Sequence, residues 1–239
     1  MRIPGHDAAT RRGREFGRLG ALLLLLVLLL TSGCTSDPTP TGPHELDTDQ
    51  AGRLAIARFN LYQAGTVSVD AQIVSTTPPL QLSGWLDTAN HRGYGLVSAA
   101  SVQPFLTFWT TSQVSAQASG VARPPLPVPK SGWDTMPLSK DTSILAAAQL
   151  LMVGLASDRP ENPQLLLQSG ATWLRQDTVS GTTVDVVSGP VAEGATESSY
   201  RYWIDSGGNL LRVEARLDGR NWSRFTLTRA TDVTLDPPT

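Results

Sequence analysis

Acid–base or nucleophilic catalysis needs a base, a nucleophile and a fold that brings them together. This sequence is poor in the first two. It has three histidines in 239 residues. His6 falls in an N-terminal segment that reads as a cleaved leader and His44 in a proline-rich linker, so His91 alone belongs to the domain, in the turn Asn90-His91-Arg92-Gly93. With one cysteine in the chain, a zinc site built from Cys and His is excluded by count. Asp134, Asp141, Asp158 and Glu161 lack the spacing of a calcium loop. There is no Gly-x-Ser-x-Gly, no phosphate-cradling Gly-x-x-x-x-Gly-Lys and no dinucleotide fingerprint. A pair of sequence-distant carboxylates is the acid–base route left open. The expectation is a protein that is not an enzyme and has neither catalytic residues, metal ligands nor a cofactor.

The remaining reactive group is Cys34. It follows Leu30-Thr31-Ser32-Gly33 and has no second cysteine to pair with. Upstream lie Arg2, Arg11, Arg12, Arg14 and Arg18, then an apolar run from Leu19 to Leu30. That run is too short for a spanning helix, which needs roughly 20 apolar residues, and suits the core of a signal peptide. The segment around Cys34 resembles the lipobox of bacterial lipoproteins, departing from it at Thr31, where leucine is commonest. The resemblance implies cleavage before Cys34 and a lipid attachment there, palmitate included. Residues 1–33 are then the signal peptide, 34–46 a lipidated flexible tether rich in Pro, Thr and Ser, and 47–239 the folded domain. The expected location is the cell membrane, lipid-anchored on the extracytoplasmic face. Without the leader the chain carries 14 basic and 19 acidic residues, near −5. An acidic domain with no basic run in its sequence argues against nucleic acid and against electrostatic docking on anionic lipid.

The elements follow from periodicity. Asp47 to Gly65 reads as a helix capped by Asp47, Thr48 or Asp49 and ended by Gly65. Thr66 to Val74 alternates Val67, Val69, Ala71 and Ile73 with polar residues, the period of a half-buried strand. Leu80 to Asp87, Arg92 to Ala99 and Phe105 to Gln113 follow as strands, and Phe105 to Trp109, apolar on both faces, predicts a strand covered from two sides. The stretch holding Pro124, Pro125, Pro127 and Pro129 is a loop or flap. Ser131 to Leu138 reads as another strand. Asp141 to Ser157 is a helix apolar nearly all round, expected to be buried, and Asn162-Pro163 opens a shorter one through Gln168. Five strands come after Gly170, with a hairpin from Tyr200–Ile204 through Asp205-Ser206-Gly207-Gly208-Asn209 to Leu211–Leu217. The class is α+β.

Taken together, Cys34, the first helix before a strand series, the helices Ile144 to Leu155 and Asn162 to Leu166, the strand Thr178 to Val186 and the Trp203-Ile204-Asp205 hairpin resemble the LolA-like half-barrel envelope lipoproteins of the LppX/LprG type. The resemblance spans about Asp47 to Asp236. It implies a curved antiparallel β-sheet, a half-barrel, with helices packed on its concave face. It also implies a lipid or glycolipid bound or transferred in an apolar cavity. The residues expected to line that cavity are Leu145, Ala148, Leu151, Met152, Leu155, Phe105 and Phe108, with the proline-rich loop as its lid. The alternative is a non-enzymatic envelope sensor or regulator that contacts a membrane protein partner through the same half-barrel.

Overall fold

The computed structural model describes residues 42–74, 78–100 and 102–238. The leader, Cys34 and most of the tether lie outside the described residues. The first long element starts where the capping signal put it. The Asp47 carboxylate accepts from the Gln50 backbone N–H at 2.7 Å while the Gln50 side chain accepts from the Asp47 N–H, a reciprocal capping box. This opens α1, Thr48–Gln63, and Gly65 leaves it at a φ of +72°, a conformation that favours glycine. Strands β2 (Thr66–Ile73), β3 (Leu80–Asp87) and β4 (Arg92–Ala99) lie close to the expected ranges. The expected strand Phe105 to Gln113 is instead two: β5 (Val102–Trp109) turns at Thr110–Ser112 into β6 (Gln113–Ala118). The Thr110 hydroxyl accepts from the Ser112 and Gln113 N–H groups and so stabilises that turn.

A short β7 (Asp134–Pro137) precedes α2 (Ile144–Gly154), capped by Ser143, and α3 (Pro163–Leu167), capped by Asn162. Then come β8 (Thr172–Val179), β9 (Thr182–Ser188), β10 (Tyr200–Asp205), β11 (Leu210–Arg216) and β12 (Trp222–Arg229). The remaining strand, β1 (His44–Glu45), pairs with β8 and is followed by buried Leu46. His44 lies 4.7 Å from the Trp173 ring. The domain therefore takes in His44 to Leu46, which the sequence reading left in the tether.

All twelve strands form one antiparallel sheet in the order β1-β8-β9-β10-β11-β12-β2-β3-β4-β5-β6-β7, open at both ends. The fold is the expected α+β half-barrel, with α1 and α2 on one face. Alternate residues of β2 (Val67, Val69, Ala71, Ile73), β12 (Phe225, Leu227) and β11 (Val213, Ala215) meet both helices in one core. The other face is covered over β4 and β5. There Tyr94, Leu96, Leu106 and Phe108 pack with Val128 and Trp133 of the proline-rich loop and with Leu235 near the C-terminus. The strand around Phe105 to Trp109 is thus covered on both sides, as expected.

One turn fastens both helices. Residues 88–91 join β3 to β4, and the Thr88 hydroxyl donates to the Leu61 carbonyl at 2.8 Å and the Gly65 carbonyl at 2.6 Å, at the end of α1. His91 Nδ1 lies 2.9 Å from the Val153 carbonyl, in the last turn of α2. Burial pushes the Asp87 carboxyl up, but hydrogen bonds from Asn90 and Arg92 outweigh it and hold the group below its ordinary value. A carboxyl lowered by folding adds stability above its unfolded pKa, and that stability is lost as pH falls through the folded value. Asp87→Asn is accordingly expected to cost about 2 kcal/mol near neutrality. The gap to wild type should close as pH falls below about 4 in urea unfolding curves. A gap that persists unchanged into acid would rule out this role for the charge.

Candidate functional site

Helix α1 lies over the sheet through small residues. Ala51, Ala55 and Ala57 are almost wholly buried, with Leu54 and Leu61 beside them. Short side chains bring a helix close where they touch and leave space where the opposing surface falls away. Polar straps hold it at its margins. Arg53 Nη2 pairs with Asp185 at 2.6 Å, and the other Asp185 oxygen accepts from the Trp173 indole N–H at 2.8 Å. Asn60 donates to the carbonyls of Gly207 and Gly208 at 3.1 and 3.0 Å. Arg58 donates to the Leu155 and Gly154 carbonyls at the end of α2 and pairs with Glu161 at 2.8 Å.

Two hollows flank this helix. The larger, about 520 Å³, opens at the C-terminal end of α1, with an apolar floor of Leu61, Val67, Leu210 and Leu227. Its rim is polar and includes Asn60, Gln63, Asp205, Asn209 and Arg229. The second, about 320 Å³, lies between α1, α3 and β10 and is lined by Leu54, Ala57, Leu166 and Tyr202, with Arg58 and Glu161 on one side. Leu210 lines both. Burial pushes the Tyr202 phenol up to about 12, so it stays protonated and can donate to a ligand oxygen.

The residues expected to line a cavity lie elsewhere. Ala148, Met152 and Leu155 are 0, 1 and 4 % exposed in the core beneath α2. Leu151 is half-buried against the same core. Leu145 and Phe105 do border a hollow with Val114 and Met136, but it measures about 160 Å³. Phe108 is a correction. It lies on the opposite face from Phe105, because residues an odd number apart in a strand point to opposite sides. The proline-rich loop is a second correction. The Tyr94 hydroxyl donates to the Pro125 carbonyl at 2.9 Å and Val128 is 2 % exposed, so the loop covers the face away from the helices and is no lid over them. Nor is α2 buried all round, since Ile144, Ala147, Leu150 and Leu151 are half-buried.

The sequence reading did not find the α1 hollows. Of the small residues of α1, Ala57 alone lines either hollow, so the alanines at 51, 55 and 57 mark a helix close to the sheet and do not locate the space. Among the described residues no group of three or more His, Cys, Asp or Glu is placed to hold a metal, and no helix is long and apolar enough to cross a membrane.

No family model matches the chain, and no curated protein matches it. The chain is similar to the crystal structure of Mycobacterium tuberculosis lipoprotein LppX, at 14 % identity with a TM-score of 0.47, covering 79 % of this chain and 98 % of that one. It is similar also to a domain from Vibrio parahaemolyticus named as an outer membrane lipoprotein-sorting protein, at 11 % identity and a TM-score of 0.23, covering 71 % and 86 %. The architecture stands on its own strand order and on two helices against one face.

Proposed function

We infer that this domain binds the acyl part of a lipid or glycolipid beneath α1, held near a membrane by a lipid on Cys34 at the extracytoplasmic face. The observation that carries the reading is the pair of hollows that share Leu210. The larger falls within the roughly 300 to 1,000 Å³ of ordinary ligand sites. Burying a methylene is worth about 0.8 kcal/mol, so an apolar floor binds an acyl chain without a charged contact. The polar rim of Asn60, Gln63, Asp205, Asn209 and Arg229 suits a headgroup left at the mouth. The protein acts by binding and carrying, with no bond made or broken.

Native mass spectrometry of the chain from Gly42 onward, purified from an envelope-containing host and extracted for lipid, tests this. Wild type should carry a stoichiometric lipid. Leu210→Arg, which sets a charge in the lining common to both hollows, should lose it at least about tenfold, by the cost of an unpaired charge against an acyl chain. An apo mass for wild type, with no uptake from lipid extract, would sink the reading. An unchanged circular dichroism spectrum of the variant separates lost binding from lost fold.

A further inference from the structure

The sheet face away from the helices is covered by the proline-rich loop over β4 and β5, and over β8 to β11 it holds a smaller buried apolar cluster of Val179, Val184, Val186 and Trp203. Over β8 to β12 it carries arginines. The register sets Arg201 and Arg224 on either side of Glu214, Trp203 beside Arg212, and Trp222 beside Arg216. The Trp222 ring lies between two guanidinium groups, Arg201 at 4.0 Å and Arg216 at 4.5 Å from its centroid. Trp203 lies between Arg212 at 5.6 Å and Arg175 at 5.8 Å, and its N–H donates to Asp177. Stacking holds the guanidinium planes in place before any ligand arrives. The Nε–H groups of Arg212 and Arg216 are buried without a hydrogen-bond partner.

Five arginines on this face meet three carboxylates. Glu214 pairs with Arg224 at 3.1 Å and Arg201 at 3.8 Å, Glu197 with Arg216 at 2.7 Å, and Asp177 with Arg175 at 3.4 Å. Glu214 is recessed, 10 % exposed, whereas Arg175 and Arg224 stand 52 and 51 % exposed. The excess is positive in a domain that is acidic as a whole. No run of sequence displays it, because the arginines come from four strands.

Where the chain enters the domain narrows the partner. The described chain begins beside β1, which pairs with Arg175-bearing β8 at this end of the sheet. From Cys34 to His44 is ten residues, at most about 35 Å of extended chain. A lipid on Cys34 would therefore hold the β8 end of the sheet within reach of the bilayer. We propose that the arginine–tryptophan face of β8 to β12 docks on the anionic phospholipid surface of the membrane that carries the anchor. The dock turns the opposite face, with α1, away from the headgroups. The orientation rests on the Cys34 reading; the surface does not, and is tested without it.

Gly42 onward forms one compact unit with its own core, so it is assayed alone. Sedimentation with phosphatidylcholine vesicles containing about a third phosphatidylglycerol should retain it at about 50 mM salt and release it by about 300 mM, as screening shortens the reach of the charges. Vesicles of phosphatidylcholine alone should not retain it. R175Q/R224Q, which removes the two half-exposed charges, should weaken retention by about tenfold. R123Q/R159Q, an equal charge change elsewhere, should leave it within about twofold. Equal binding to both vesicle types, or R175Q/R224Q behaving like wild type, would overturn the proposal. So would binding to soluble polyglutamate in place of vesicles, which would assign the face to an acidic protein. The salt titration of wild type needs no variant and stands even if a substitution harms folding.

Discussion

Gly84→Ala is expected to abolish a stable domain. Gly84 on β3 is paired directly with Gly95 on β4. A single added methyl would run into the Tyr94 carbonyl and lie 2.5 Å from the Gly95 Cα and 2.9 Å from the Tyr94 carbonyl carbon. Every one of these atoms is backbone and cannot rotate away. From the other side, a Cβ on Gly95 would lie 2.7 Å from the Ser83 carbonyl oxygen. The two glycines mark a place where neighbouring strands approach edge-on, as a sharp coil in a sheet requires. Relief would mean breaking the β3–β4 ladder at its centre. The cost should exceed about 4 kcal/mol, a large share of the roughly 5 to 15 kcal/mol that holds an ordinary domain together. The variant should express as insoluble protein or unfold without a cooperative transition in urea. A midpoint within about 0.5 M of wild type would show that the strands can part there at little cost.

Trp109→Ala should come next in size. Trp109 is 0 % exposed, lies against Gly93 of the neighbouring strand, and donates its indole N–H to the Gln149 carbonyl in the middle of α2 at 3.0 Å. Beside it the Gln149 amide donates to the buried Thr107 hydroxyl at 2.9 Å. Removing the ring opens a cavity under α2 and strips a carbonyl of its partner. The expected loss is about 3 to 5 kcal/mol, or about 10 °C in the thermal midpoint. Calorimetry reads it directly. Trp109→Phe, which keeps most of the volume and loses only the N–H, should cost about 1 to 2 kcal/mol, and equal losses for both variants would locate the whole effect in the hydrogen bond.

The elements that local chemistry specifies are legible in the sequence. Asp47 caps the helix that follows it, Asn162 opens the shorter one, and β2 keeps close to the bounds that its alternation sets. What depends on register or on distant chain is not legible. The sequence from Phe105 to Gln113 reads as one strand because Thr110 and Thr111 are β-branched and strand-compatible, yet the chain turns there. Gly84 sits in an alternating apolar series as one more small residue; only its pairing with Gly95 reveals why nothing larger fits. The leucines of α2 promise a cavity by being apolar, but apolar residues fill cores and line hollows alike. The space lies instead on either side of α1, beside Leu61 and Ala64 and beside Leu54 and Ala57. Arg201, Arg212, Arg216 and Arg224 are scattered along the chain until cross-strand pairing sets them together.

The seam of the sheet is β12 against β2, where Arg224 faces Gln72. Among the described strands β12 is the last in chain order, and it lies between the halves β2–β7 and β8–β11. During synthesis, then, once β8 to β11 have been made and before β12, the molecule consists of two unfinished ribbons. Each has a bare edge, at β2 and at β11, that only Trp222–Arg229 can satisfy. Pairings so distant in sequence make for slow folding. Completion of the eight residues of β12 turns two half-sheets into one.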